Sequence, residues 1–245
     1  MRRQLDVGSV LTRVFQTYGN EAALILPLAV IVALIAAVLD ALANEGLSSL
    51  LYTVIRLLVD SAAAMVFAGL VIEIVRRGRD GDPRTTLGEM LESVWPVLLN
   101  LIVAAILYGI GVAIGLVLLI VPGLILLTWW ALIAPVIVVE RRGIIESFGR
   151  SKQLVDGNGW MVFAVVVVIF LITALVSLLL VVLFAIFGGF VGSLVGIFIA
   201  GVILKPLGAL AAPIMYYDLR EIEAEDRAAQ AAAAEHQAPP PAPAT

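Results

Sequence analysis

Six apolar runs, most of them long enough to cross a bilayer, leave this chain almost no soluble fold to adopt. They cover residues 22–43, 50–75, 96–120, 124–139, 160–187 and 190–216. A helix crosses the hydrocarbon with about 20 predominantly apolar residues. The third and fourth runs form one stretch from Pro96 to Val139, and Pro122-Gly123 supplies a turn dipeptide inside it. Pro135 and Pro213 are expected to bend their helices, which a membrane tolerates where neighbours satisfy the freed carbonyls.

The cations sort to one side of these runs. Arg2, Arg3 and Arg13 precede the first. Arg76, Arg77, Arg79 and Arg84 separate the second from the third. Arg141, Arg142, Arg150 and Lys152 separate the fourth from the fifth, and Arg220 and Arg227 follow the sixth. The alternate connections, at residues 44–47, at Pro122-Gly123 and at 188–192, carry no Lys or Arg. This positive-inside bias predicts a multi-pass membrane protein with both termini in the cytoplasm. At 62% hydrophobic residues the chain exceeds the roughly half-apolar composition of soluble domains. Its net charge of −4 belongs to the end of the chain, where Asp218, Glu221, Glu223, Glu225, Asp226 and Glu235 outnumber Arg220 and Arg227.

Short segments before the odd-numbered runs have helical apolar spacing and a polar opposite face. Val7, Val10, Leu11, Val14, Phe15 and Tyr18 form the first, and Leu87, Met90, Leu91, Val94 and Trp95 the second. Ile144, Ile145, Phe148 and Val155 form the third. They are expected to lie along the basic interface. Gly8, Leu11, Val14, Phe15 and Asn20 match Gly88, Leu91, Val94, Trp95 and Asn100 at a constant offset of 80. The expected architecture is all-α and polytopic. Six transmembrane helices and three interfacial amphipathic helices form three parallel helix-plus-hairpin repeats, about 5–76, 85–140 and 143–217, within a membrane domain at 1–220. Residues 221–245 read as a cytoplasmic tail, helical near 228–234, whose stretch from Pro239 to Pro243 is expected not to pack.

Small residues give packing signals. Gly109, Gly111 and Gly115 lie inside an apolar run, which favours close helix packing over dinucleotide binding. Gly188, Gly192, Gly196 and Ala200, continued by Gly208 and Ala212, form a stripe for packing within the chain or, alternatively, for a homodimer seam.

Three charges fall at membrane depth, Arg56 and Asp60 on the second run and Lys205 on the sixth. Such charges are costly unless paired or wetted. Arg56 and Asp60, four apart, can pair with each other. Lys205 has no local partner, so Asp60 or Glu73 is expected to approach it across helices. The competing reading is a polar cavity or substrate path. There is no cysteine, and the one histidine, His236, lies in the tail. No metal-ligand or nucleophile motif is present, so neither a cofactor nor a metal nor an enzymatic activity is expected.

The elbow between the fourth and fifth runs carries a resemblance. Pro122, Gly123, Pro135, Glu140, Arg150, Ser151, Gly157 and Trp160, with the ending Tyr217-Asp218 and the opening from Gly8 to Phe15, resemble the membrane domain attached to some bacterial glycerophosphoryl diester phosphodiesterases. That module also stands alone in bacterial membrane proteins. The resemblance spans roughly residues 5–222, and departs where Phe148-Gly149 replaces the alanine usual before the Arg-Ser pair. It implies no catalysis, because the family's metal-dependent chemistry resides in the fused soluble domain. Physically, Arg150 is expected to hold inner-leaflet phosphate, Gly157 to end the elbow helix and Trp160 to anchor the next span.

The functional expectation is a non-catalytic membrane module, a lipid-linked scaffold or accessory subunit. The alternative is a small transporter or lipid-translocating protein using Asp60 and Lys205. Expected partners are the bilayer, anionic inner-leaflet lipids, a second copy through Gly188, Gly192 and Gly196, and a separate enzyme or transporter. No nucleic acid is expected.

Overall fold

The computed structural model describes residues 4–43, 49–80 and 87–237, and the side chains of 4–35, 63–80, 88–189, 191–192 and 195–234. Every regular element among them is an α-helix, and they pack as a polytopic bundle. In order these are α1 (Val7–Ala43), α2 (Ser49–Asp80), α3 (Leu87–Leu118), α4 (Ile120–Trp129), α5 (Ile133–Glu140), α6 (Ile144–Val155) and α7 (Gly159–Gln237). Five stretches among the described residues are long and apolar enough to cross a membrane: Val7–Ile35, Gly88–Leu118, Ile120–Glu140, Gly159–Gly189 and Val195–Ala234. They match five of the six expected spans. The expected second span falls on α2, where the side chains of 50–62, including Arg56 and Asp60, lie outside the described residues. So do the 44–47 connection, Arg84 and the stretch from Pro239 to Pro243.

Two of the three interfacial helices are not separate elements. The segments at 7–18 and 87–95 run without interruption into α1 and α3. No residue there ends a helix, and 37 residues at 1.5 Å each make α1 about 55 Å long, so its first turns protrude beyond the hydrocarbon. Only α6 stands apart, because Asp156-Gly157-Asn158 breaks the chain: Gly157 has φ 84°, which ends the elbow helix as expected. The two matching segments still share a burial pattern. Val10 and Val14 are buried as Met90 and Val94 are, while Phe15 and Trp95 are exposed.

The hairpin between the third and fourth spans turns at an extended Leu119, three residues before the expected Pro122. Pro122 and Gly123 instead occupy the first turn of α4, where a missing N–H is harmless. Glycine is required there by close approach. A Cβ on Gly115 would sit 2.9 Å from the Gly123 Cα, and one on Gly123 would sit 2.6 Å from the Leu116 backbone nitrogen. A Cβ on Gly111 would meet the Trp130 ring at 2.5 Å, so the small-residue packing reading holds at Gly111 and Gly115, whereas one on Gly109 would meet nothing within 4 Å.

The fourth span is broken between α4 and α5, and Pro135 lies in the first turn of α5. Ser151 from α6 splints the break. Its hydroxyl donates to the Trp129 carbonyl at 2.7 Å and accepts the Leu132 N–H at 3.2 Å. Both backbone groups would otherwise be buried without partners.

Helix α7 folds back on itself at Gly189 (φ 57°, ψ −135°), inside the expected 188–192 connection. This makes a first arm from Gly159 and a second arm that ends at Gln237. Pro213 does not interrupt the second arm, and neither does Pro206. The glycine stripe serves this fold within the chain: a Cβ on Gly192 would lie 2.0 Å from the Phe184 carbonyl oxygen, and one on Gly196 3.1 Å from the Val181 Cα. Two of the three residues expected on a homodimer seam are therefore covered by the chain's own first arm. The second arm continues helical past residue 220, and Ile222 is buried, so the packed domain extends into the expected tail.

Candidate functional site

Charged side chains gather where the basic connections meet the end of α7. Arg150 is only 8% exposed. Its Nη1 and Nη2 donate to the two carboxylate oxygens of Glu223 at 2.7 and 2.6 Å, and its Nε donates to Glu140 at 3.2 Å. This fork geometry is what a planar guanidinium offers two carboxylates. Glu140 also accepts from Arg142 Nε at 2.6 Å and from the Tyr216 hydroxyl at 3.0 Å. Arg150 is thus consumed inside the protein and does not reach lipid phosphate, contrary to the expectation from sequence.

Further ties close the same end. Arg13 on α1 forms a bidentate pair with Asp218. The fully buried Glu73 accepts from Arg76 Nε at 2.8 Å and Arg77 Nε at 2.8 Å. It therefore pairs on its own helix and does not approach Lys205. The Arg79 guanidinium stacks 4.6 Å from the centre of the Tyr217 ring. The Leu5 N–H donates to Asn158 Oδ1 at 3.0 Å, tying the chain start to the third elbow. Arg141, left-handed at φ 55°, caps α5 and donates to the Ser93 carbonyl at 2.8 Å. Trp160 is 81% exposed at the start of α7, where an interfacial anchor belongs.

Lys205 stands elsewhere. It lies 16 residues from the Gly189 fold and 13 from Asp218, about 24 and 20 Å along the helix, near the middle of the span. It lines a chamber of about 840 Å³ between the two arms of α7 and residues of α1, α3 and α4. Ligand sites typically measure about 300–1,000 Å³. Among the described residues Lys205 is the only charged one lining it, beside Tyr108, Thr173, Ser177 and apolar groups. No described carboxylate pairs with Lys205. The chamber exists because the second arm presents Gly201, Gly208, Ala211 and Ala212 to it; a Cβ added at Gly208 meets nothing within 4 Å. Its rim includes the exposed side chains of Phe170, Ile197 and Phe198, so it opens towards the surface that lipid covers.

A second, apolar cavity of about 200 Å³ adjoins it, sharing Tyr108, Ala131, Gly208 and Ala212. It extends to Ile72 and Ile137, next to the Glu73 and Glu140 clusters. Tyr18 on α1 donates its hydroxyl to the Ile203 carbonyl at 3.0 Å, one residue from the carbonyl that Pro206 leaves without its helical donor.

Of the residues singled out in the sequence, Glu140 and Arg150 share one cluster, and Asp218 and Tyr217 join the same end. Pro122, Gly123, Pro135, Ser151 and Gly157 shape helix junctions. Glu223 and Tyr216 were not foreseen as partners of Arg150 and Glu140; their shared face with Leu219, at helical spacing, is the signal that points to them. No protein-family model, curated protein or solved structure matches the chain.

Proposed function

We propose that this chain is a non-catalytic lipid-handling protein of the bacterial plasma membrane, crossing six times with both ends in the cytoplasm. It takes an amphiphile from the bilayer into the chamber beside Lys205. The single observation that supports this reading is that chamber, which faces outward between the arms of α7 and which, among the described residues, is lined by small and apolar side chains and one cation. It favours the lipid-translocating alternative over a passive scaffold, because a groove that sets one ammonium beside an apolar, outward-facing wall offers an amphiphile both a polar and an apolar partner. The charge cluster around Arg150 closes the cytoplasmic end beneath the second cavity and holds α5, α6 and α7 together there. The resemblance to the phosphodiesterase-attached membrane domain agrees with a membrane role without chemistry of its own.

Gly208→Trp tests this. The indole is expected to fill the chamber without backbone strain, since nothing lies near the added Cβ. Native mass spectrometry of protein purified in mild detergent should show amphiphile adducts on the parent chain and at least a fivefold loss of them in the variant, at equal or higher melting temperature. Adducts retained equally by both proteins, or absent from the parent, contradict the reading.

A further inference from the structure

Lys205 offers a basis for deciding which amphiphiles the chamber takes. An ammonium near mid-membrane is expensive unless an anion or water faces it. Its chamber holds no described carboxylate, and the neighbouring polar groups, Thr173, Ser177 and Tyr108, are neutral. The Thr173 hydroxyl is already spent on the Ile169 carbonyl at 2.8 Å, as an intrahelical bond. Glu73, the one described acid foreseen as a partner, is consumed by Arg76 and Arg77. What remains, among the described residues, is an exposed cation beside an apolar, lipid-open space.

We infer, resting on the lipid-handling reading above, that the ligand is an acidic amphiphile. Its carboxylate or phosphate head sits on Lys205 Nζ, and its hydrocarbon chain leaves past Phe170, Ile197 and Phe198 into the bilayer. The head therefore docks at membrane depth, displaced from the headgroup plane, which separates this site from ordinary annular lipid held by interfacial arginines.

The test uses the full chain, delipidated in a non-ionic detergent, and four probes with one oleoyl chain each. These are oleic acid, oleoyl lysophosphatidic acid, oleoyl lysophosphatidylcholine and monoolein, titrated by native mass spectrometry at neutral pH. At least one acid is expected to bind the parent about tenfold or more tightly than monoolein and the choline lipid, as befits a contact to a charged group. Which acid binds tells carboxylate from phosphate. Lys205→Gln should remove that preference while leaving monoolein binding unchanged, and Lys205→Arg should keep it. Equal binding of all four probes to the parent overturns the inference yet leaves the lipid-handling reading intact, and needs no variant. Binding of none overturns both. A preference that survives in Lys205→Gln places the deciding charge elsewhere and overturns the inference as well.

Discussion

Arg150→Ala is expected to lower stability by about 3–5 kcal/mol, the cost typical of removing one partner from a buried ion pair. The guanidinium is the only described cation that bridges Glu140 and Glu223. Without it, two carboxylates packed between α5 and α7 face each other with fewer donors, although Arg142 and Arg227 still reach them from the periphery. For a chain of this size the loss corresponds to a drop of roughly 6–20 °C in melting temperature, followed by tryptophan fluorescence in detergent. Arg150→Lys keeps the charge but forfeits the fork and should fall between the two. Adding Glu223→Gln to the alanine variant should recover part of the loss, a coupling that a double-mutant cycle reads directly. Acid should act through the same contact. The hydrogen bonds from Arg150 hold the Glu223 carboxyl below its usual value. Its contribution to stability is therefore complete above the unfolded-state value near about 4.3 and is lost as the pH falls through the lower folded value. A melting temperature insensitive to Arg150→Ala would show that the cluster holds nothing together.

Gly192→Ala should be the most disruptive added methyl among the described glycines. The added carbon lands 2.0 Å from the Phe184 carbonyl oxygen and 2.9 Å from its carbon, both backbone atoms that cannot swing aside. Relief requires prising the two arms of α7 apart, at a cost of about 3 kcal/mol or more, the upper range for overpacking. Gly188→Ala, four residues earlier on the same stripe, meets nothing within 4 Å and should leave the melting temperature within about 1 °C. A seam between two copies would instead make both substitutions change oligomer size. The contrast between neighbouring glycines therefore separates intrachain packing from dimerisation in one pair of melts.

Five of the six expected spans were legible in the sequence because hydropathy integrates over about 20 residues and survives local irregularity. Gly157 and the fold near Gly189 were legible too, since glycine marks places where φ turns positive. Other details depend on which surfaces meet. Pro122-Gly123 was read as a turn when its role is a close approach of α4 to α3, for which glycine gives the same letter. The segments before α1 and α3 were read as separate interfacial helices because their amphipathicity is real, but amphipathicity does not say whether the chain breaks afterwards. Arg150 looked like a lipid contact because Glu223, 73 residues away, is invisible to local pattern. Lys205 was recognised as anomalous from its position alone. That it faces a chamber and not Glu73 required the packing of α7 against α1, α3 and α4.

The chamber requires that the two arms of α7 cross the bilayer in opposite directions, with the Arg150 cluster and the Gly189 fold on opposite sides. The chain contains no cysteine, so single cysteines report sidedness without background. Leu119→Cys and Gly188→Cys should react with a membrane-impermeant maleimide in intact spheroplasts. Gln153→Cys and Gln230→Cys should react only after the membrane is opened. Labelling of Gly188→Cys and Gln230→Cys from the same side would mean that the second arm does not cross, and would remove Lys205 from the middle of the membrane.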